Sequence, residues 1–167
     1  MMVLGLMGWS GSGKTTLICK LVPDLVGRGL EVSTVKHTHH DVDVDKPGKD
    51  SFLHRHAGAR EVMLAAPSRW SLVREFREET PSDLKTLIAR MAPVDLILVE
   101  GFRQDPYPKI EVFRPAMGRP RLGDGASHVV AVASDGPVPD LAVPLLDLND
   151  VQAIADFIVD YGKLGRR

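Results

Sequence analysis

The stretch GWSGSGKTT, which runs from Gly8 to Thr16, decides the fold of this chain. It fits the Walker A pattern, in which a glycine, any four residues and a second glycine precede a lysine and a serine or threonine. The apolar run Met2–Met7 before it is typical of a strand, and the segment Lys14–Arg28 after it has apolar residues at helical spacing. A Walker A sequence between a strand and a helix predicts a phosphate-binding loop.

Each residue type in this loop has a physical task. Glycines let successive backbone N–H groups curl around a phosphate, Lys14 reaches the β- and γ-phosphates, and the Thr15 hydroxyl ligates Mg²⁺. The alternative is a glycine-rich turn that only packs the strand on the helix, and the complete pattern disfavours it. The candidate nucleotide-binding residues of the loop are Gly8, Ser10, Gly11, Ser12, Gly13, Lys14, Thr15 and Thr16.

Glu100 is the candidate partner of Thr15. It follows the apolar run Leu96–Val99, which is typical of a central parallel strand buried on both faces. A carboxylate at the end of such a strand can hold Mg²⁺ directly or through water, although an exposed strand-end glutamate is the simpler interpretation. We therefore predict Lys14 and Glu100 as catalytic residues, and Thr15 and Glu100 as magnesium ligands.

Strands and helices alternate along the rest of the chain. Further strands are predicted at Glu31–Lys36, Glu61–Ala65, Ser68–Val73, Lys109–Phe113 and His128–Ala133. Helices are predicted to begin at Asp50, near Asp83, and at Asn149 or Asp150, with Asp50 as a cap. This order predicts an α/β fold with three layers, in a single domain over residues 1–167.

Composition and charge narrow the classes of partner. The 21 basic and 22 acidic side chains give a net charge of −1, so no field of one sign indicates nucleic acid or a membrane surface as partner. The single cysteine, Cys19, cannot form an internal disulfide and favours a reducing compartment. The apolar runs fall short of the ~20 residues of a membrane-spanning helix. We expect a cytoplasmic protein with no nucleic-acid or membrane partner.

The phosphate loop does not identify the base. The chain contains no Asn-Lys-x-Asp signature of guanine recognition. Asp135 lies just beyond a predicted strand, where it could accept hydrogen bonds from a guanine edge or could be a turn aspartate. On these residues alone the base stays open.

The stretch KHTHH at residues 36–40 follows the second predicted strand. Three imidazoles within four residues could bind Zn²⁺ or Ni²⁺, although metal sites usually draw their ligands from separate elements. The carboxyl end of a strand in an open α/β sheet is also where ligands bind in such folds. We favour contact with the nucleotide or with a second phosphate-bearing ligand, and a polar surface loop is the simpler alternative.

Four further stretches carry a family resemblance. They are KHTHHDVDVDKPGKDS at 36–51, HRHAGA at 54–59, LILVEGF at 96–102 and PKIEVFR at 108–114. Together with GWSGSGKTT they resemble the molybdopterin-guanine dinucleotide biosynthesis protein B (MobB) family. The resemblance covers most of the chain from Met2 to Ala133, and the histidine loop with its PGKDS end is far more specific than the Walker A pattern.

The resemblance implies a GTP-binding adapter with weak intrinsic GTPase activity. Such an adapter assists molybdopterin guanylyltransferase, the partner enzyme that attaches GMP to molybdopterin, and molybdopterin is a further candidate ligand. The resemblance also implies a homodimer with a P-loop NTPase fold, in which antiparallel strands are added to a mostly parallel sheet. Carried over residue by residue, it places phosphates on Gly11, Gly13, Lys14 and Thr15, magnesium near Thr15 and Glu100, and His37, His39, Asp45, Lys49 and Asp50 around the same cleft.

Three other functions remain open on the residues alone. A P-loop beside a basic, histidine-rich pocket could belong to a small-molecule kinase. The histidine loop could deliver Ni²⁺ or Zn²⁺ in a metallochaperone GTPase. The nucleotide could also be only a structural ligand of an interaction module.

Overall fold

The computed structural model describes residues 1–38, 42–77, 83–123 and 128–165 of the chain. The described strands are β1 (Met2–Met7), β2 (Val32–Lys36), β3 (Glu61–Ala66), β4 (Arg69–Arg74), β5 (Leu96–Glu100), β6 (Lys109–Phe113), β7 (Val129–Ser134) and β8 (Leu145–Asp147). The described α-helices are α1 (Lys14–Gly27), α2 (Asp50–His56), α3 (Leu84–Ile88) and α4 (Val151–Gly162). They form two compact units, one of Met1–His37 with Met91–Arg167 and the other of Thr38–Arg90.

The first unit is built on a six-stranded sheet. Its strand order is β2-β5-β1-β6-β7-β8, and each neighbouring pair is parallel. In this register Glu100 of β5 lies opposite Leu6 of β1 on one side and Lys36 of β2 on the other. The edge of the sheet at which the phosphate loop begins therefore also carries the last residues of β2 and β5.

The central strands are buried on both faces of this sheet. Leu96, Ile97, Leu98 and Val99 of β5 each expose 1% or less of their surface. Because successive side chains of a strand point to opposite faces, this burial confirms the expectation of a central strand covered on both sides. On one face the apolar cluster joins β5 to α1 and α4 through Leu17, Leu21, Leu25, Ile154 and Ile158.

The second unit contains α2, α3 and the antiparallel pair of β3 and β4, which runs from Glu61 opposite Arg74 to Ala66 opposite Arg69. The predicted cap of α2 is wrong. Asp50 is the first residue of that helix, its N-cap is Lys49, and no side-chain hydrogen bond caps it. A carboxylate in the first turn still interacts favourably with the helix dipole.

The α/β fold with a mostly parallel sheet is confirmed, and the antiparallel strands form a two-stranded sheet of their own. The sequence pattern does not predict β8, because three residues carry too little periodicity. The single domain over residues 1–167 stays a prediction beside the two compact units. Within the described ranges, no helix is both long enough and apolar enough to cross a membrane.

Candidate functional site

Three glycines shape the loop between β1 and α1. Gly8, Gly11 and Gly13 have φ values of +152°, +81° and +101°, which residues with a Cβ atom rarely adopt. A Cβ atom on Gly8 would also lie 2.7 Å from Oγ of Ser12. No side chain caps the N-terminus of α1, whose first N–H groups have no intrahelical partner. This arrangement suits an anion at the start of the helix.

Lys14, the first residue of α1, folds back over the loop. Its Nζ donates hydrogen bonds to the carbonyl oxygens of Gly8 (3.0 Å) and Trp9 (2.9 Å). Burial lowers the pKa of Lys14 below its ordinary value; the charge of Glu100 opposes this shift and the charge of Lys36 adds to it. An ammonium that is held in place and partly desolvated interacts more strongly with a phosphate than one in water.

Thr15 and Glu100 face each other across the gap between α1 and β5. Oγ1 of Thr15 lies 2.9 Å from Oε1 and 3.0 Å from Oε2 of Glu100, so the hydroxyl donates to the carboxylate. The Glu100 side chain is only 12% exposed. Two oxygen donors this close are the kind of ligand that Mg²⁺ prefers in nucleotide sites.

A cavity of about 330 Å³ opens at this loop. Seven of its eight lining residues belong to the predicted loop or are Glu100, and the eighth is Lys36, the last residue of β2 and the first of the KHTHH stretch. The Lys36 Nζ lies 3.5 Å from Oε1 of Glu100 and 3.5 Å from Oγ1 of Thr15. The complete lining consists of Ser10, Gly11, Gly13, Lys14, Thr15, Thr16, Lys36 and Glu100.

The residues around this cavity fit the phosphates of a nucleotide together with Mg²⁺. The positive-φ glycines leave room for backbone donors to approach a phosphate. Two lysines and one glutamate line the cavity, so its charged side chains are net positive. A net positive lining attracts a polyanion such as a triphosphate. Thr15 and Glu100 supply hard oxygen ligands on one wall.

Two predicted loop residues, Gly8 and Ser12, support the loop instead of lining the cavity. The Gly8 carbonyl accepts a hydrogen bond from Lys14, and the Ser12 carbonyl accepts one from Nε of Arg114 at 2.9 Å. Ser12 is 1% exposed, and its hydroxyl has no hydrogen-bond partner among the described residues.

His37 lies beside the last residues of β5. Its backbone N–H donates to the Glu100 carbonyl at 2.8 Å, and its ring centroid lies 4.5 Å from that of Phe102. Gly101 has a φ of +101°, and a Cβ atom there would lie 2.7 Å from Cβ of His37. The glycine after Glu100 is therefore what allows His37 to lie so close to β5.

The other predicted cleft residues lie outside the first unit or outside the described residues. His39 lies outside the described residues. Asp45, Lys49 and Asp50 belong to the second unit, where the Asp45 carboxylate accepts from Nε of Arg55 at 3.1 Å. Their role at the nucleotide site stays a prediction. Within the described residues, no group of three or more His, Cys, Asp or Glu side chains could hold a metal ion.

The segment that follows β6 packs against the phosphate loop. Nε1 of Trp9 donates to the Pro120 carbonyl at 2.8 Å, and the Arg119 guanidinium lies 5.5 Å from the centroid of the Trp9 ring. Arg114 reaches the loop through its hydrogen bond to Ser12. The sequence pattern offers no motif for this segment, and only the fold reveals these contacts.

Asp135 follows β7 and forms an ion pair with Arg114. Its carboxylate is therefore linked, through Arg114, to the Ser12 carbonyl of the phosphate loop. The position of Asp135 is compatible with both interpretations of the sequence, a contact with the base and a turn aspartate. The ion pair with Arg114 adds a third role for Asp135, which is to support the phosphate loop.

Two buried charges in β6 are missed by sequence reasoning. Lys109 is 2% exposed, and its Nζ donates to the carbonyls of Asp105 and of Tyr107, the latter at 2.8 Å. Burial lowers the pKa of Lys109 below its ordinary value, while Asp105 opposes the shift. A lysine inside an apolar run is the signal that could have identified it. It fixes the loop between β5 and β6.

Glu111 performs the same task for the segment after β6. Its side chain is 1% exposed and accepts hydrogen bonds from the backbone N–H groups of Leu122 (2.5 Å) and Gly123 (3.1 Å). Buried carboxylates need such donors to offset the loss of hydration. The alternation of charged and apolar residues in PKIEVFR is thus explained by loop anchoring.

The chain is similar, in sequence and in structure, to proteins of one family. Residues 3–135 match the family model described as "Molybdopterin guanine dinucleotide synthesis protein B". A "Molybdopterin-guanine dinucleotide biosynthesis adapter protein" of Escherichia coli (strain K12) is 49% identical, with 95% of this chain and 92% of the relative covered. The protein of the same name from Haemophilus influenzae is 43% identical, with 95% and 88% covered. A crystal structure of "molybdopterin-guanine biosynthesis protein B" matches with a TM-score of 0.77 at 30% identity, with 97% and 99% covered.

Proposed function

The chain belongs to the molybdopterin guanine dinucleotide synthesis protein B family, and from that premise we propose that it is an adapter that binds GTP with Mg²⁺. The family resemblance seen in the sequence is confirmed, as is a role among adapters of molybdopterin guanine dinucleotide biosynthesis. The guanine base, Mg²⁺, a guanylyltransferase as partner, molybdopterin as a further ligand, and a cytoplasmic homodimer are parts of the proposal.

The observation that carries the nucleotide proposal is the placement of Lys14, Thr15 and Glu100 on one cavity. Thr15 and Glu100 would hold the metal, because their oxygens already face each other at 2.9 Å. Lys14 would exchange the two loop carbonyls that it now contacts for phosphate oxygens, which accept hydrogen bonds more strongly because they are charged. When bound, Mg²⁺ supplies positive charge that offsets the charge of the phosphates.

The cavity lining favours slow turnover by the isolated chain. No glutamine and no arginine occurs among its described lining residues, so neither a side chain that orients water nor an arginine finger is in place. A finger alone contributes about 10³–10⁵ to the rate in fast GTPases. We infer that the chain holds GTP for a partner reaction and does not turn it over rapidly itself.

The second unit supports the homodimer proposal. Its two-stranded sheet exposes large apolar side chains, namely Met63, Leu64, Trp70 and Leu72. A two-stranded sheet alone buries too little surface to be stable, and exposed apolar patches of this kind mark interaction surfaces. Light scattering of the purified chain tests the dimer, and a monomer at micromolar concentration would contradict it.

The experiment that tests the adapter function compares two reactions. Single-turnover hydrolysis of GTP is measured first with the chain alone. Formation of the guanine dinucleotide from GTP and molybdopterin is then measured with the guanylyltransferase, with and without the chain. We expect slow hydrolysis alone and faster dinucleotide formation when the wild-type chain is added.

The control in this experiment is Lys14→Ala, which should give no stimulation because it does not hold the triphosphate. Hydrolysis at many turnovers per second by the chain alone would contradict the adapter role. Competition between GTP and ATP tests the base, and equal affinity for the two would remove GTP from the proposal. A phosphorylated small molecule among the products would indicate the kinase alternative instead.

A further inference from the structure

Lys36 opens the KHTHH stretch, for which the sequence predicts contact with the nucleotide or with a second phosphate-bearing ligand without giving Lys36 a role of its own. It ends β2, and the parallel register places it opposite Glu100 of β5. The backbone around it is fixed, because the N–H of the next residue, His37, donates to the Glu100 carbonyl at 2.8 Å. The Lys36 Cα is therefore held beside the candidate metal ligand, whatever its side chain does.

The side chain itself is mostly exposed. It is 61% exposed, whereas the Glu100 side chain is 12% exposed. Its Nζ lies 3.5 Å from both Oε1 of Glu100 and Oγ1 of Thr15, at the outer limit of a hydrogen bond. These are the two oxygens assigned to Mg²⁺. The ammonium of Lys36 thus faces the two proposed metal ligands.

Mg²⁺ and Lys36 cannot both stay close to these oxygens without repelling each other. Two like charges that lie a few ångströms apart repel each other strongly in a partly desolvated cavity. Opposite charge attracts Lys36 toward the phosphates, and the phosphate farthest from the loop backbone depends most on a side-chain cation. A diphosphate carries less negative charge than a triphosphate, so it competes with Glu100 for Lys36 less strongly.

We propose that Lys36 is the second phosphate-facing lysine of the site and that it contacts the terminal phosphate of a bound triphosphate, so that the site distinguishes a nucleoside triphosphate from a diphosphate. The proposal rests on the nucleotide-binding function proposed above. Lys36 leaves Glu100 when the terminal phosphate and Mg²⁺ are present, and it returns to Glu100 when only a diphosphate is bound. The loop lysine, Lys14, serves both nucleotides.

The test is calorimetric binding in Mg²⁺ of two pairs of nucleotides, GDP with the β,γ-imido analogue of GTP, and ADP with the corresponding analogue of ATP. The variants are Lys36→Gln and Lys36→Arg, and the matched control is Lys20→Gln, an exposed lysine of α1 outside the cavity. Thermal unfolding checks that each variant folds. Because Lys36 is mostly exposed, we expect midpoints close to that of the wild type.

For Lys36→Gln we expect about 10- to 100-fold weaker binding of the triphosphate analogue, the size expected for loss of a hydrogen bond to a charged group. GDP binding should change by less than about twofold, since the diphosphate does not use Lys36 in this proposal. Lys36→Arg should retain a preference for the triphosphate, because the charge is kept. Lys20→Gln should match the wild type with both nucleotides.

Three outcomes would overturn the inference. Unchanged affinities in Lys36→Gln would show that the ammonium contacts neither nucleotide. Equal losses for the triphosphate analogue and for GDP would show that Lys36 only holds Glu100 in position. Failure of the wild type to bind any of the four nucleotides would refute the nucleotide site itself. A wild type that binds only the adenine pair would refute the GTP proposal and leave Lys36 to be judged on that pair.

Discussion

The Thr15 hydroxyl lies 2.9 Å from Oε1 of Glu100, although 85 residues separate the two in the chain. Thr15 follows the phosphate loop, which begins at the end of β1, and Glu100 is the last residue of the neighbouring strand β5. The fold therefore brings the two proposed magnesium ligands together through strand pairing. Removal of the Glu100 charge is therefore expected to disturb the proposed magnesium site.

Glu100→Gln should weaken Mg²⁺-dependent hydrolysis of GTP more than it weakens nucleotide binding. Glutamine keeps the shape of the side chain and loses its charge, while the backbone donors of the loop still hold the phosphates. We expect single-turnover hydrolysis to fall by about 10- to 100-fold. Glu31→Gln, an exposed glutamate of the same unit, is the control. Equal loss of binding and hydrolysis in a folded protein would make Glu100 a nucleotide-binding residue instead.

Lys14→Ala should abolish measurable binding of GTP while leaving the fold intact. Lys14 makes its side-chain hydrogen bonds to two carbonyls of its own loop and is not a member of the apolar cluster. Loss of charge-assisted hydrogen bonds of about 1.5–3 kcal/mol each predicts a loss of affinity of 100-fold or more. Calorimetry measures it, with Lys20→Ala as the control. Full GTP affinity in folded Lys14→Ala protein would show that the loop does not bind phosphates as assigned.

Gly101→Ala should destabilise the protein and displace His37 of the KHTHH stretch. The φ of +101° disfavours alanine, and its Cβ would lie 2.7 Å from Cβ of His37. We expect a loss of about 1–3 kcal/mol in the free energy of unfolding. Gly27→Ala is the matched control, because a Cβ atom there meets nothing within 4 Å. Denaturant unfolding measures both, and equal stability of the two variants would rule out a steric role for Gly101.

Arg114→Lys should weaken nucleotide binding without changing the choice of base. Arg114 donates to the Ser12 carbonyl through Nε and pairs with Asp135 through Nη1, and the single nitrogen of a lysine does not reproduce this spacing of two donors in a planar fork. We expect a severalfold loss of affinity, with a similar loss in Asp135→Asn. In a double-mutant cycle the two effects should be non-additive by about 0.5–3 kcal/mol. A loss in Asp135→Asn that is confined to guanine nucleotides would instead assign Asp135 to the base.

The elements of the fold were largely predictable because their signals are local. The strand before the loop and β5 appear as short continuous apolar runs, and the helix after the loop appears as apolar residues at helical spacing. The interpretation of Asp50 as a cap failed because the same carboxylate is favourable at the cap and in the first turn, so the pattern does not distinguish them. β8 is too short to carry a pattern.

The sequence alone predicts the phosphate-binding loop, because its glycines, Lys14 and Thr15 are contiguous and their geometry is set by backbone conformation and a helix start. It also identified Glu100, because a carboxylate at the end of a buried strand stands out from the apolar residues before it. That Lys36 of the KHTHH stretch lines the cavity, and that Arg114 supports the loop, follows only from the three-dimensional fold. These contacts depend on which strands are neighbours in the sheet, and strand order results from the packing of the whole unit and leaves no trace in local spacing.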